Sequence, residues 1–132
     1  MTPEKFLEFA RVLPEPLLLI SSLGEILVTN RPAANLLGCS SKELQGKFLC
    51  DLVTESPEKV LKYLQNCARS RQMIIGSLTF LLPDGEKLIC RSEGAVVQPA
   101  SAESPAINLL RLENRAAATE EFVLLNQKIN EL

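Results

Sequence analysis

Residues 73–97 constrain the fold more tightly than any other stretch of the chain. From Met73 to Leu82 the apolar pattern has a period of two, with Ile74, Gly76, Leu78, Phe80 and Leu82 alternating against Ile75, Ser77, Thr79 and Leu81. Pro83-Asp84-Gly85-Glu86 follows, a turn in which proline presets φ and glycine accepts a positive one. The alternation then resumes from Lys87 to about Val97, with Leu88, Cys90, Ser92, Gly94 and Val96 on one face. Two long alternating runs joined by a tight turn require an antiparallel hairpin that is half-buried on one side.

Upstream, Leu17–Ile20 reads as a short buried strand and Glu25–Thr29 as its hairpin partner across Ser21-Ser22-Leu23-Gly24. In that partner Ile26 and Val28 are expected on one face, with Glu25 and Thr29 on the other. Ile107–Leu112 supplies a fifth strand after a Pro/Ser/Ala-rich loop. Helical signals fall between the second and third strands. Asn30 can cap a helix through Leu37 ended by Gly38, Ser40-Ser41-Lys42-Glu43 has capping-box spacing, and Ser56-Pro57-Glu58 opens the clearest helix. Val60, Leu61, Leu64, Cys67 and Ala68 line one face of it. The fold class is therefore α+β: a five-stranded antiparallel sheet with helices on one face.

Both ends of the chain add a helix. Residues 3–13 carry an apolar stripe of Phe6, Leu7, Phe9, Ala10 and Leu13, stopped by Pro14 and Pro16. Beyond residue 115, Ala118, Phe122, Leu125, Ile129 and Leu132 are spaced 4, 3, 4, 3, the spacing of a coiled-coil seam. The seam is still in phase at the last residue, which suggests a fragment of something longer. The division expected is 1–113 for the sheet-containing unit with its N-terminal helix and 114–132 for the following helix.

Composition removes several functions. Fourteen Lys and Arg against sixteen Asp and Glu give a net charge of −2, against the basic field that nucleic acid demands. The 132 residues contain no histidine, which takes away the commonest general base, metal ligand and proximal haem ligand. No convincing nucleophile–base pair stands in its place, and Asp51 with Glu55 and Ser56 reads as a helix start. No enzyme activity is expected. Cys39, Cys50, Cys67 and Cys90 form no CxxC pair, and Met1-Thr2-Pro3-Glu4 is not the opening of a signal peptide. The chain is expected to be cytoplasmic with reduced thiols, and no apolar run is long enough to span a membrane.

Several phrases together resemble a PAS domain, the sensory module of many bacterial signalling proteins. They are residues 17–30 (LLLISSLGEILVTN), Ala33-Ala34-Asn35-Leu36-Leu37-Gly38, Glu43-Leu44-Gln45-Gly46 and the Pro83–Glu86 turn, covering roughly residues 5 to 112. Arg111-Leu112-Glu113-Asn114-Arg115 departs from the Asp-Ile-Thr-like exit common in the family. The resemblance implies a cytoplasmic sensor and homodimer that controls a covalently linked output domain beyond residue 132, a sensor histidine kinase in a two-component phosphorelay. A diguanylate cyclase, a transcription regulator, or a free-standing small-ligand carrier are the alternatives.

It also implies a pocket between helices and sheet lined by Leu52, Val60, Leu64, Leu78, Phe80, Leu88 and Cys90, with Ser92 and Asn66 as polar handles. Such a pocket would suit a small apolar molecule. Haem is disfavoured for want of histidine. A photoactive flavin is disfavoured because Leu49 holds the position of the reactive cysteine, with Cys50 one residue late. Phe6, Phe9 and Leu13, with the tail residues Phe122, Leu125, Ile129 and Leu132, are the expected dimer and signalling surface.

Overall fold

The computed structural model describes residues 2–10 and 12–115. Its elements run α1 (Pro3–Ala10), β1 (Leu17–Ser21), β2 (Ile26–Thr29), α2 (Arg31–Leu37), α3 (Ser41–Leu44), a 3-10 turn (Leu49–Asp51), α4 (Pro57–Ala68), β3 (Ile74–Leu81), β4 (Lys87–Gln98) and β5 (Ile107–Asn114). The five strands form one antiparallel sheet in the order β2-β1-β5-β4-β3. β5, last in sequence, is central in space.

The helix boundaries follow from local chemistry. Asn30 has extended backbone and its Oδ1 accepts from Ala33 N–H at the start of α2. Gly38 closes that helix at φ 71°, a left-handed conformation that a side chain would strain. Ser40 and Glu43 form the reciprocal capping box of α3. Ser56 caps α4, with Pro57 in its first turn.

The two faces of the sheet carry separate clusters. Leu18, Ile20, Leu78, Phe80, Cys90, Leu110 and Leu112 point toward α2, α3 and α4 and meet Leu37, Leu44, Val60, Leu64 and Cys67. Leu17, Leu19 and Val28 point the other way and are covered by Phe6 and Ala10 of α1. So α2–α4 share one face, and α1 lies on the opposite one.

One expected pairing fails. Ile26 and Val28 do not share a face: Ile26 belongs to the first cluster and Val28 to the second. The register explains it, since Leu19 pairs with Val28 but Ile20 pairs with Ile26, leaving Leu27 as an extra residue. A bulge of one residue inverts the alternation beyond it.

Among the described residues no helix is long and apolar enough to cross a membrane. The coiled-coil seam expected at Phe122, Leu125, Ile129 and Leu132 lies outside the described residues.

Candidate functional site

Helix α4 lies across β3 and β4 and packs closely on both. Two glycines inside long strands make that possible. A Cβ added at Gly76 would come within 2.6 Å of the Tyr63 ring, and one at Gly94 within 2.4 Å of Leu110 Cδ2 and 2.7 Å of Cys67 Sγ. Real Cβ atoms do not approach so closely, so both positions admit only glycine unless the neighbours move. The Tyr63 hydroxyl donates its one hydrogen to the Ile74 carbonyl at 2.9 Å. Ser92 Oγ, also 2.9 Å away, must then donate to the phenol oxygen.

Burial sets the ionisation of this interior. It raises the Tyr63 pKa well above its ordinary value, although the bond from Ser92 opposes the shift. Burial likewise raises the Cys67 thiol and pushes Cys90 up to about 11. Neither is the depressed thiol that redox chemistry or metal binding calls for. Among the described residues no group of three or more Cys, Asp or Glu is placed to hold a metal ion.

The residues expected to line a ligand pocket come together. Val60, Leu64, Leu78, Phe80 and Cys90 are buried in the main cluster, Leu52 and Leu88 pack against it half-buried, and Ser92 is buried against Tyr63. Asn66, expected as a second polar handle, is on the solvent side of α4 and takes no part. Leu49 is fully buried, and Cys50 beside it is half-buried. Glu55 accepts from the Thr79 N–H at 2.7 Å and Ser56 caps α4, so both act in local structure.

The helical pattern does not single out Tyr63, because it flanks the apolar face of α4. The signal for it lay elsewhere, in Gly76 and Gly94: a glycine inside a strand marks a close approach from above. Asn108, also missed, is buried on β5 and its amide nitrogen donates to the Leu64 carbonyl at 2.9 Å, tying the central strand to α4.

On the opposite face Phe6 is 1% exposed against its own sheet, and Leu13 packs half-buried beside it. Of the described residues expected to form a subunit surface, Phe6, Phe9 and Leu13, only Phe9, at 54%, is largely exposed. The start of β1 and the end of β5 are joined here. Arg111 reaches Glu93 at 2.6 Å and Glu15 at 3.2 Å. Burial disfavours its charge, but Glu93 and Glu15 outweigh that and hold its pKa above the usual arginine value. Glu15 is also held through its carbonyl, which accepts from Asn30 Nδ2 at 2.8 Å.

A cleft of about 1100 Å³ opens along the outer edge of the sheet. Leu7 and Ala10 of α1 with Val12, Leu13 and Pro14 form one wall, and Val28, Thr29 and Asn30 line its base. Residues of α2 and α3, among them Arg31 and Lys42, form the other wall. Its volume is slightly above the range of about 300–1,000 Å³ usual for small-molecule sites, and its lining shares no residue with the Tyr63 layer.

The chain matches the model of the PAS fold over residues 5–103. Among solved structures it is similar to the PAS domain of an HTR-like protein from Haloarcula marismortui, with a TM-score of 0.68 at 13% identity, covering 84% of this chain and 89% of that one. The PAS domain of nitrogen regulation protein NR(II) from Vibrio parahaemolyticus gives 0.62 at 19% identity, over 86% and 98%. The LOV domain of a blue-light activated histidine kinase from Erythrobacter litoralis gives 0.61 at 15%, over 78% and 97%. Among curated proteins none matches.

Proposed function

Because this chain belongs to the PAS fold family, we propose that it is a sensory and dimerisation module of a two-component system, controlling a histidine kinase that follows residue 132. The module itself catalyses nothing. It biases the output by changing how its tail is held.

The observation that carries this reading is the position of β5. The strand is central, hydrogen-bonded to β1 on one side and β4 on the other, and its C-terminal end leads straight into the tail. Asn108 connects the same strand to α4, and Arg111 connects it to Glu15 before β1. A rearrangement on either face of the sheet therefore reaches the tail through one rigid element. Among the similar structures, one is the LOV domain of a histidine kinase, which favours this output over a cyclase or transcription factor. A carrier of a small apolar ligand would need interior space that the Tyr63 ring and the Cys67 thiol occupy.

The mechanism is a two-state equilibrium, and whatever signal acts must bind the two states unequally to shift them. The test replaces Leu125 and Ile129 with aspartate. Self-association of the chain should fall at least tenfold, and control of the output in the longer protein should disappear. Regulation that survives unchanged would overturn the proposal.

A further inference from the structure

The cleft beside β2 has two unlike walls. Its α1 side is aliphatic, with Leu7, Val12 and Leu13, and no aromatic side chain is among the described residues that line it. Its other side is polar: Arg31 and Asn35 stand one helical turn apart on α2, with Lys42 on α3 and Gln45 just after it. In a chain with more acids than bases, not one Asp or Glu is among those lining residues. Arg31 and Lys42 are both exposed, and neither has an ion-pair partner among the described residues.

The base holds a polar atom that the fold leaves unused. Thr29 lines it, is 1% exposed, and its Oγ1 has no hydrogen-bond partner. Among the described residues Asn108 Oδ1 is the other such buried side-chain atom, and Asn108 does not line the cleft. The polar groups beside Thr29 are already spent. Asn30 gives its side chain to Leu17, Ala33 and Glu15, and Ser41 Oγ donates to the Thr29 carbonyl at 3.3 Å. A buried hydroxyl without a partner costs free energy that a ligand acceptor would recover. An aliphatic wall facing two unpaired cations across an unpaired hydroxyl selects one ligand class. The wall buries an alkyl chain, nothing in it stacks on a ring, and the planar fork of Arg31 suits a carboxylate.

We infer that this cleft binds a small aliphatic carboxylate, its chain against Leu7, Val12 and Leu13 and its head group among Arg31, Lys42 and the Thr29 hydroxyl. The cleft opens along the sheet edge, so the ligand exchanges with solution rather than being carried. Occupancy reaches β5 through bonds the fold already makes. Asn30 holds the Glu15 carbonyl and the Leu17 N–H, and Leu17 is paired with Arg111. A ligand spanning α1 to α2 and α3 therefore bears on β1 and β5 together, which makes it the signal input of the relay. That consequence, though not the binding itself, rests on the relay role proposed above.

The experiment uses the full 132-residue chain, with octanoate, decanoate and octanol as probes at concentrations where no micelles form. Calorimetric titration gives affinities, amide hydrogen exchange locates the ligand, and exchange of β3 and β4 confirms that each variant is folded. Decanoate should bind roughly tenfold more tightly than octanoate, since each buried methylene is worth about fourfold. Octanoate should bind more tightly than octanol, and Arg31→Gln with Lys42→Gln should remove that advantage. Thr29→Val should weaken octanoate about threefold or more, while the urea midpoint of the empty chain holds or rises. Bound decanoate should slow exchange in α1 and β2, and at the β1 and β5 amides near Leu17 and Arg111. Failure of every probe to bind overturns the site. Octanoate bound no better than octanol, or unmoved by the Arg31 and Lys42 changes, overturns the carboxylate assignment, and affinity unmoved by Thr29→Val overturns the hydroxyl anchor. Protection confined to the α4 layer around Tyr63 and Cys67 places the ligand in the core and also overturns the site. Decanoate held in the cleft with β1 and β5 unmoved upholds the site and overturns its role as input. A chain that binds decanoate there yet stays monomeric at every concentration upholds the site and overturns the relay.

Discussion

The hydroxyl of Tyr63 lies 2.9 Å from Ser92 Oγ, bridging α4 to the middle of β4 in the space where a PAS ligand was expected. The pair is a polar lock inside an apolar layer: Ser92 is fully buried and its Cα partner on β3 is Gly76, over which the Tyr63 ring lies.

Tyr63→Phe removes the donor to Ile74 and strands the Ser92 hydroxyl. It should cost about 1–3 kcal/mol in urea unfolding, the penalty of a buried polar group left unpaired. Adding Ser92→Ala should recover part of that loss, because the second change removes the stranded group. A double variant that is worse by the full sum of the single ones would show that the two side chains do not act as a pair.

Gly94→Ala should be more damaging than its size suggests. The new methyl would meet Leu110 Cδ2 at 2.4 Å and Cys67 Sγ at 2.7 Å, both in the core. Overpacking of this kind costs about 1–3 kcal/mol. The effect is read as a lower urea midpoint, and a midpoint equal to the native value would contradict the packing described.

Asn30 makes three hydrogen bonds at once: its Oδ1 accepts from Leu17 and Ala33, and its Nδ2 donates to Glu15. Asn30→Asp keeps the oxygen that accepts from Leu17 and Ala33 but replaces the donor, placing a carboxylate oxygen against the Glu15 carbonyl. The α2 cap should survive while the 12–16 loop detaches, seen as faster exchange of β1 and β5 amides near Leu17 and Arg111 with α2 amides unchanged. Equal loosening of both would show that the side chain acts only as a cap.

Stability should fall on the alkaline side. Cys90 has its pKa raised from 9.0 to about 11 by burial, and Tyr63 is raised as well. Each group is neutral in the folded state where the unfolded chain has begun to ionise. Its contribution is therefore complete below the unfolded pKa and is lost as pH rises through the folded one. Thermal unfolding should show a stability plateau through neutral pH and a decline beginning above about pH 9. Cys90→Ala should lower the plateau through the cavity it leaves and make the decline shallower. A decline of unchanged steepness would remove Cys90 from the account.

Much of this fold was legible because its signals are local. Asn30, Gly38, the Ser40–Glu43 box and Ser56-Pro57 each settle a boundary through a backbone hydrogen bond or a φ angle that neighbouring residues suffice to determine. The β3–β4 hairpin announced itself by period and turn. What could not be read depends on residues far apart in sequence. The bulge at Leu27 arises from the pairing of β2 with β1, and it moved Val28 to the other face. Phe6 looked like a residue seeking a second copy, yet it closes over its own sheet. Tyr63 stood outside the α4 stripe and is identified only by the two strand glycines beneath it. The cleft is built from α1, the edge of β2 and two short helices, which no single stretch of sequence displays.

The most direct test of the central claim is native mass spectrometry of residues 1–132 across a concentration series, beside the Leu125→Asp, Ile129→Asp form. A dimerising relay gives a bare monomer–dimer equilibrium in the native chain, with dimer lost from the variant. A chain that remains monomeric at every concentration, or that carries a small molecule released only on denaturation, would contradict it.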